Sequence, residues 1–221
     1  MAAVRVMKSE DPRATAGRVL GDALRAVLDE RGHVRLAIAG GSALSALAPA
    51  FEALGEERAA VRLTWVDERC VPVGDAASNR GAAHGSLGEQ RPGEELPLWL
   101  DEESPAEALA RVRAGLSARF DDQLDVTLLG MGGDGHIASL FVGRTVVDDR
   151  VAYIADSPKP PPERMTLTRA LLASATTHVL LATGEGKRDA LRRLVAGDLS
   201  LPAAGLDGLV LVTDIDLETT S

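Results

Sequence analysis

The chain has 221 residues, 45% hydrophobic and 26% charged, which favours one domain with the ordinary balance of a folded protein. Its formal net charge is −9 with no basic block, which argues against nucleic acid or an anionic membrane as partner. A single cysteine, Cys70, excludes a disulfide framework, and neither a long apolar run nor a cleavable leader is visible, so the cytoplasm is the expected location.

Ser9 to Pro12 reads as a helix N-cap with acidic first-turn residues, and Val19/Leu20, Ala23/Leu24 and Val27/Leu28 follow at helical spacing until Gly32. Val34, Leu36 and Ile38 alternate as a strand, which runs into Gly40-Gly41-Ser42 and a second helix to about Leu54. Val61, Leu63 and Trp65 mark a strand ending at residues 66–69. Residues 70–103 are rich in Gly, Pro and polar side chains and predict a long loop with a short helix. Ser104-Pro105-Ala106-Glu107 is a capping box with proline at the first helical position, opening a helix to about Phe120.

Residues 125–129 form a buried strand that feeds the glycine-rich run 130–136, with a short helix after it. A strand at 151–154, a rigid polyproline-like loop at 157–162 and an extended stretch at 165–168 with a helical turn come next. A strand at 178–182, a helix at 184–196 and a strand at 210–212 close the pattern. Alternating strands and helices predict one α/β domain over 1–221: a three-layer, Rossmann-like open sheet, mostly parallel, with helices on both faces.

The segments able to carry chemistry, 40–42, 67–69, 130–136 and 184–187, each follow a strand, and the carboxyl edge of an open parallel sheet is where ligands bind. Gly40, Gly41 and Ser42 offer N–H groups and a hydroxyl at a helix start, suited to phosphate, or are simply a tight turn. Arg69 can neutralise phosphate or a developing oxyanion, and Asp67 can hold a hydroxyl or orient that arginine. In GMGGDGHIASLF (130–141), Gly132 and Gly133 let the backbone approach a ligand, and His136 follows Asp134 by two residues. His136 is the candidate catalytic histidine, whereas His33, His84 and His178 read as structural. No metal site is expected, since no second histidine lies at ligand spacing.

Lys8, Lys159 and Lys187 are the chain's lysines, all other basic residues being arginine. Lys159 and Arg164 sit in the proline-stiffened 157–168 segment, and Lys187 stands at a helix start where the dipole disfavours a cation, so all three are candidate ligand groups. Aromatics at 3% leave little for ring stacking, so recognition should run through hydrogen bonds and charge.

Four segments together resemble the 6-phosphogluconolactonases: Asp67-Glu68-Arg69 with Val71-Pro72 and Ser78-Asn79, LLGMGGDGHIASLF at 128–141, SPKPPPERMTLT at 157–168, and ATGEGK at 182–187. The similarity runs from about residue 38 to 202. It implies a fold related to the glucosamine-6-phosphate deaminases and ribose-5-phosphate isomerases, and hydrolysis of 6-phospho-D-glucono-1,5-lactone to 6-phosphogluconate. It implies no organic cofactor, the histidine of the Gly-Asp-Gly-His segment (His136) as general base, and a small sugar-phosphate lactone as partner. The chain is expected to be a monomer or weak homodimer. Gly133 and Val142 stand where the family usually carries proline. The related deaminases continue to an acidic residue five positions after the histidine. Here that position is Phe141, which favours hydrolysis. A non-catalytic sugar-phosphate sensor would need a DNA-binding helix-turn-helix, and the residues before the first expected strand carry one expected helix and little positive charge.

Overall fold

The computed structural model describes residues 4–146 and 150–217. Seven strands form a wholly parallel sheet: β1 (Arg5–Lys8), β2 (Val34–Ile38), β3 (Val61–Trp65), β5 (Glu94–Leu96), β6 (Val126–Gly130), β9 (Thr177–Leu181) and β10 (Leu209–Thr213). Their spatial order is β1-β10-β9-β6-β2-β3-β5. Between β3 and β5 the chain forms β4 (Asp67–Arg69), which joins β8 (Arg164–Leu167) and β7 (Val151–Ile154) in a small antiparallel sheet. The Val66 N–H bonds to the Ile38 carbonyl and the Leu167 N–H to that of Val66, so the small sheet hangs from the ends of β2 and β3.

All five residues of β2 are buried, as are the first four of β6. Central parallel strands covered on both faces read as apolar runs for this reason. Helix α1 (Pro12–Arg31) buries Leu20, Leu24 and Leu28 at four-residue spacing and packs against α2 (Leu47–Leu54) as well as the sheet. The α1–α2 seam needs small residues, since a Cβ on Gly17 would lie 2.9 Å from Pro49 Cβ. The N-cap of α1 is Asp11, whose side chain accepts from Ala14 N–H, while Ser9 bonds Thr15 instead. In α4 (Pro105–Phe120) the capping box of Ser104 and Glu107 forms as expected.

Both edge strands escape a reading by pattern. β1 (Arg-Val-Met-Lys) and β5 (Glu-Glu-Leu) are short and charged, the usual protection of a sheet edge, and carry no apolar alternation. The stretch after His136 is also different from expectation. Residues 137–140 make turns and an isolated Ile137–Leu140 bridge rather than a helix, so the loop presents no helix N-terminus there. The 184–196 segment begins as a 3-10 turn, Glu185–Lys187, before α6 (Arg188–Val195).

From β2 the chain steps outward through β3 to β5. It then returns through α4 to β6 on the other side of β2, and continues through α5 (Arg169–Leu172) to β9 and, after α6, to β10. The winding direction therefore reverses between β2 and β6. A crevice opens at such a reversal, outside the carboxyl ends of the two strands.

Candidate active site

A cavity of about 240 Å³ occupies that crevice. After β2 come Gly40, Gly41 and Ser42, with Gly41 at φ +66 opening a 3-10 turn that leads into α2. After β6 come Gly130, Met131, Gly132 and His136. The small sheet contributes Asp67, Arg69 and Arg164, the turn before α6 contributes Lys187, and Asn79, first residue of α3 (Asn79–Leu87), completes the wall.

The 130–136 loop is closed on itself by Gly132 N–H to the His136 carbonyl and Gly135 N–H to the Gly132 carbonyl, both 2.9 Å. Gly135, at φ +88, makes the turn. It brings Asp134 behind the histidine, with His136 Nδ1 2.5 Å from Asp134 Oδ1. Gly132 is held to hydrogen on that side, because a Cβ there would overlap the imidazole and the Asp134 carboxylate. Lys159 Nζ reaches Asp134 Oδ2 at 3.2 Å. Burial alone would push the Asp134 carboxyl up, but His136 and Lys159 outweigh it and hold it down at about 2. Asp134 is thus a fixed anion that selects hydrogen on Nδ1 and leaves Nε2 for the cavity. Among the described residues Nε2 has no hydrogen-bond partner. On its flank the ring of Phe141, buried, lies 4.9 Å from the imidazole centroid.

Asp67 is buried and fully engaged. Its Oδ2 accepts from Ser139 Oγ at 2.8 Å and pairs with Arg164 Nη1 at 3.5 Å, and its Oδ1 accepts from Asn79 Nδ2 at 3.2 Å. Arg164 is not on the proline-rich loop but opens β8, opposite Arg69, with 4% exposure. Its Nε donates to the Pro161 carbonyl, and Nη2 to those of Lys159 and Pro160, so the loop wraps the guanidinium. Burial, followed by the opposing pull of Asp67 and the repulsion of Arg69, leaves its pKa lowered, though a guanidinium stays charged. Arg69 donates from Nη1 to the Ala77 carbonyl at 2.6 Å, and its Nε is buried without a partner. Lys187 is lowered by burial, with Asp214 only partly compensating. Three cations with incomplete neutralisation at one cavity give it the electrostatics that suit an anion.

Nine of the twelve residues singled out from the sequence line this cavity, and Gly132 shows how closely they are built. Of the other three, Gly133, whose absent Cβ would lie 2.8 Å from the Gly186 carbonyl, packs the two loops together, and the Lys159 ammonium faces Asp134. Asp134 itself stands behind His136 rather than on the wall. Asn79, Ser139 and Glu68 were not singled out as site residues. Their signal was faint, since a Ser-Asn pair after a loop also serves as a plain helix cap. His84 pairs with Glu95 at 2.9 Å, and His178 is sealed in the core on Thr127, both structural as expected.

Fold and site together define an α/β protein with an anion-receptive cavity at the strand-order reversal and a carboxylate-backed histidine on its wall. The chain belongs to the family described as glucosamine-6-phosphate isomerases/6-phosphogluconolactonase, whose profile matches residues 8–212. A rat (Rattus norvegicus) protein named 6-phosphogluconolactonase is 38% identical over 79% of this chain and 74% of its own. A Caulobacter vibrioides protein of that name is 34% identical over 89% and 88%. The chain spans just over half, 56%, of the length of rice relatives that it matches at 38% identity. Among solved structures, a 6-phosphogluconolactonase from Thermotoga maritima superposes with a TM-score of 0.79, at 23% identity, over 96% of this chain and 99% of its own, which shows the fold. No described helix is long and apolar enough to cross a membrane.

Proposed function

We propose that the chain hydrolyses 6-phospho-D-glucono-1,5-lactone to 6-phosphogluconate, in the cytoplasm and without an organic cofactor. The observation that carries this reading is the His136–Asp134 pair, 2.5 Å apart, with Nε2 turned to a cavity lined by Arg69, Arg164 and Lys187. Neutral His136 takes a proton from water at Nε2 as the water oxygen bonds to lactone C1. Asp134 holds the Nδ1–H and stabilises the imidazolium that results. The negative charge on the former carbonyl oxygen is met by Arg69 or by N–H groups of the glycine loop. When the tetrahedral species collapses, the bond from C1 to the ring oxygen breaks and the imidazolium returns its proton to that oxygen. Histidine ends neutral, and the carboxylic acid formed at C1 loses its proton to solvent, leaving the carboxylate of the product.

The phosphate falls to Lys187 with Gly40, Gly41 and Ser42, and Arg164 adds positive potential from β8. A dianion beside Lys187 would restore its lowered pKa, so substrate and charged lysine favour each other. Lys159 acts behind Asp134 in this reading rather than on the phosphate. The family also contains isomerases that shuttle a proton between carbons, for which a second acid near the histidine is useful. Phe141 covers that flank with an apolar ring, which suits hydrolysis. The test is a coupled assay: lactone is generated by glucose-6-phosphate dehydrogenase and 6-phosphogluconate is followed above the spontaneous rate. Acceleration proportional to protein is expected, and none would refute the proposal.

A further inference from the structure

We infer that Asn79 reads a ring hydroxyl of the lactone through its side-chain oxygen and so helps set which sugar the cavity accepts; this rests on the lactonase reading above. Asn79 opens α3, and the residues around it hold it firmly. Ser78 is the N-cap, its Oγ accepting from Gly81 N–H at 3.0 Å. Glu68, 3% exposed, accepts from Asn79 N–H and Arg80 N–H at 2.7 Å each and from Ser78 Oγ at 3.2 Å. A buried carboxylate therefore plugs the helix start, and α3 offers its side chain, not its backbone, to a ligand.

That side chain is oriented without ambiguity. Asn79 Nδ2 lies 2.8 Å from the Asp67 carbonyl and 3.2 Å from Asp67 Oδ1. Both are acceptors, so the amide nitrogen must face them and the amide oxygen must point away. The oxygen lies against Gly40, where a Cβ would overlap it, and both residues line the cavity. Among the described residues it has no hydrogen-bond partner, and it is not one of the sealed polar atoms. The residue as a whole is 2% exposed. An acceptor held at the wall of this cavity, without a protein donor, calls for a donor from the ligand.

The chemistry of the substrate narrows the choice. Its phosphate and lactone carbonyl carry only acceptor oxygens toward a neutral amide oxygen and would be repelled. The hydroxyls at C2, C3 and C4 are its donors. Asp67, the other acceptor on this wall, is already committed on both oxygens to Asn79, Ser139 and Arg164. The hydroxyl-reading role that its type and position suggested passes to Asn79, with Asp67 as the positioning residue behind it. Gly40 belongs to the same device, since any side chain there would displace the oxygen.

The experiment compares kcat/KM for the parent lactone and its 2-, 3- and 4-deoxy counterparts, in the wild type and in Asn79→Ala. In the wild type one deoxy lactone should fall about 10–100-fold below the parent, the cost of leaving a buried acceptor unpaired. Asn79→Ala should lose a similar factor on the parent and nothing further on that one analogue. If Asn79→Ala does not fold, Asn79→Ser is read in the same way, because a shorter hydroxyl cannot reach the same hydroxyl. All three deoxy lactones within about threefold of the parent in the wild type, or discrimination retained in the folded variant, would overturn the inference. Failure of the wild type to accelerate the parent at all would instead remove the lactonase reading, and the inference with it.

Discussion

His136 and His178 are bonded alike. His136 holds Asp134 through Nδ1 at 2.5 Å, and His178 holds Thr127 through Nδ1 at 2.7 Å. What differs lies behind the ring and in front of it. Behind His136 is a carboxylate kept ionised, which stabilises an imidazolium. Behind His178 is a hydroxyl, which does not. In front of His136 is the cavity, whereas His178, on β9, has no exposure and burial pushes it down to about 4 against weaker help from the Ala175 carbonyl. A histidine becomes a candidate base when a fixed anion and an open approach meet on opposite nitrogens. Either alone leaves a core residue or a solvated one.

The contrast breaks most sharply at Gly132. In Gly132→Ala the new methyl takes space held by the imidazole and the Asp134 carboxylate, so kcat should fall about 10²–10⁴-fold, the usual worth of a general base. A kcat within threefold of wild type, measured in the coupled assay, would show that the pair does not need this close glycine.

His178 should respond in stability, not rate. Its folded pKa lies below the ordinary 6.5, so the unfolded chain binds the proton more readily. The stabilisation is complete above pH 6.5 and is lost as pH falls through 6.5 toward about 4. The linkage is worth about 3 kcal/mol at full extent. Urea melts across that window should show the loss in the wild type and a smaller one in His178→Leu. Equal slopes would contradict the assignment.

Asp134→Asn keeps the shape behind His136 and removes the charge. It should lower kcat about 10–100-fold while KM changes little, because Asp134 stands behind the ring and off the cavity wall. An unchanged kcat would make the carboxylate a spectator. The smallest effect separates two lysines. Lys187→Met should raise KM severalfold or more, while Lys159→Met should leave KM within about twofold and lower kcat modestly through Asp134. A large KM increase in Lys159→Met would return that residue to the phosphate.

The central strands and capped helices were legible because their signals are local: apolar alternation in β2, apolar residues in β6 and β9, the Ser104–Glu107 box, and glycine at the end of α1. The edges were not, since β1 and β5 exist to be short and charged. The candidate site was legible where glycine and histidine cluster in one segment, at 130–136. It was less so where a residue depends on a distant partner. Arg164 read as a loop cation, yet β8 buries it beside Asp67, far earlier in the chain, and no local pattern records that pairing. Asn79 entered only as part of a matching motif and not as a site residue, because its surroundings come from Glu68 and Asp67 folding back over it. The helix expected after His136 fails for a related reason: residues 137–140 are fixed by the bridge Ile137–Leu140 and by Ser139 reaching Asp67.

The most direct measurement of the central claim is kcat for His136→Ala on freshly generated lactone, corrected for spontaneous hydrolysis, with folding checked by thermal melt. A fall of about 10²–10⁴-fold with an unchanged melt is the predicted result. A kcat near that of the wild type would mean that His136, for all its geometry, is not the base.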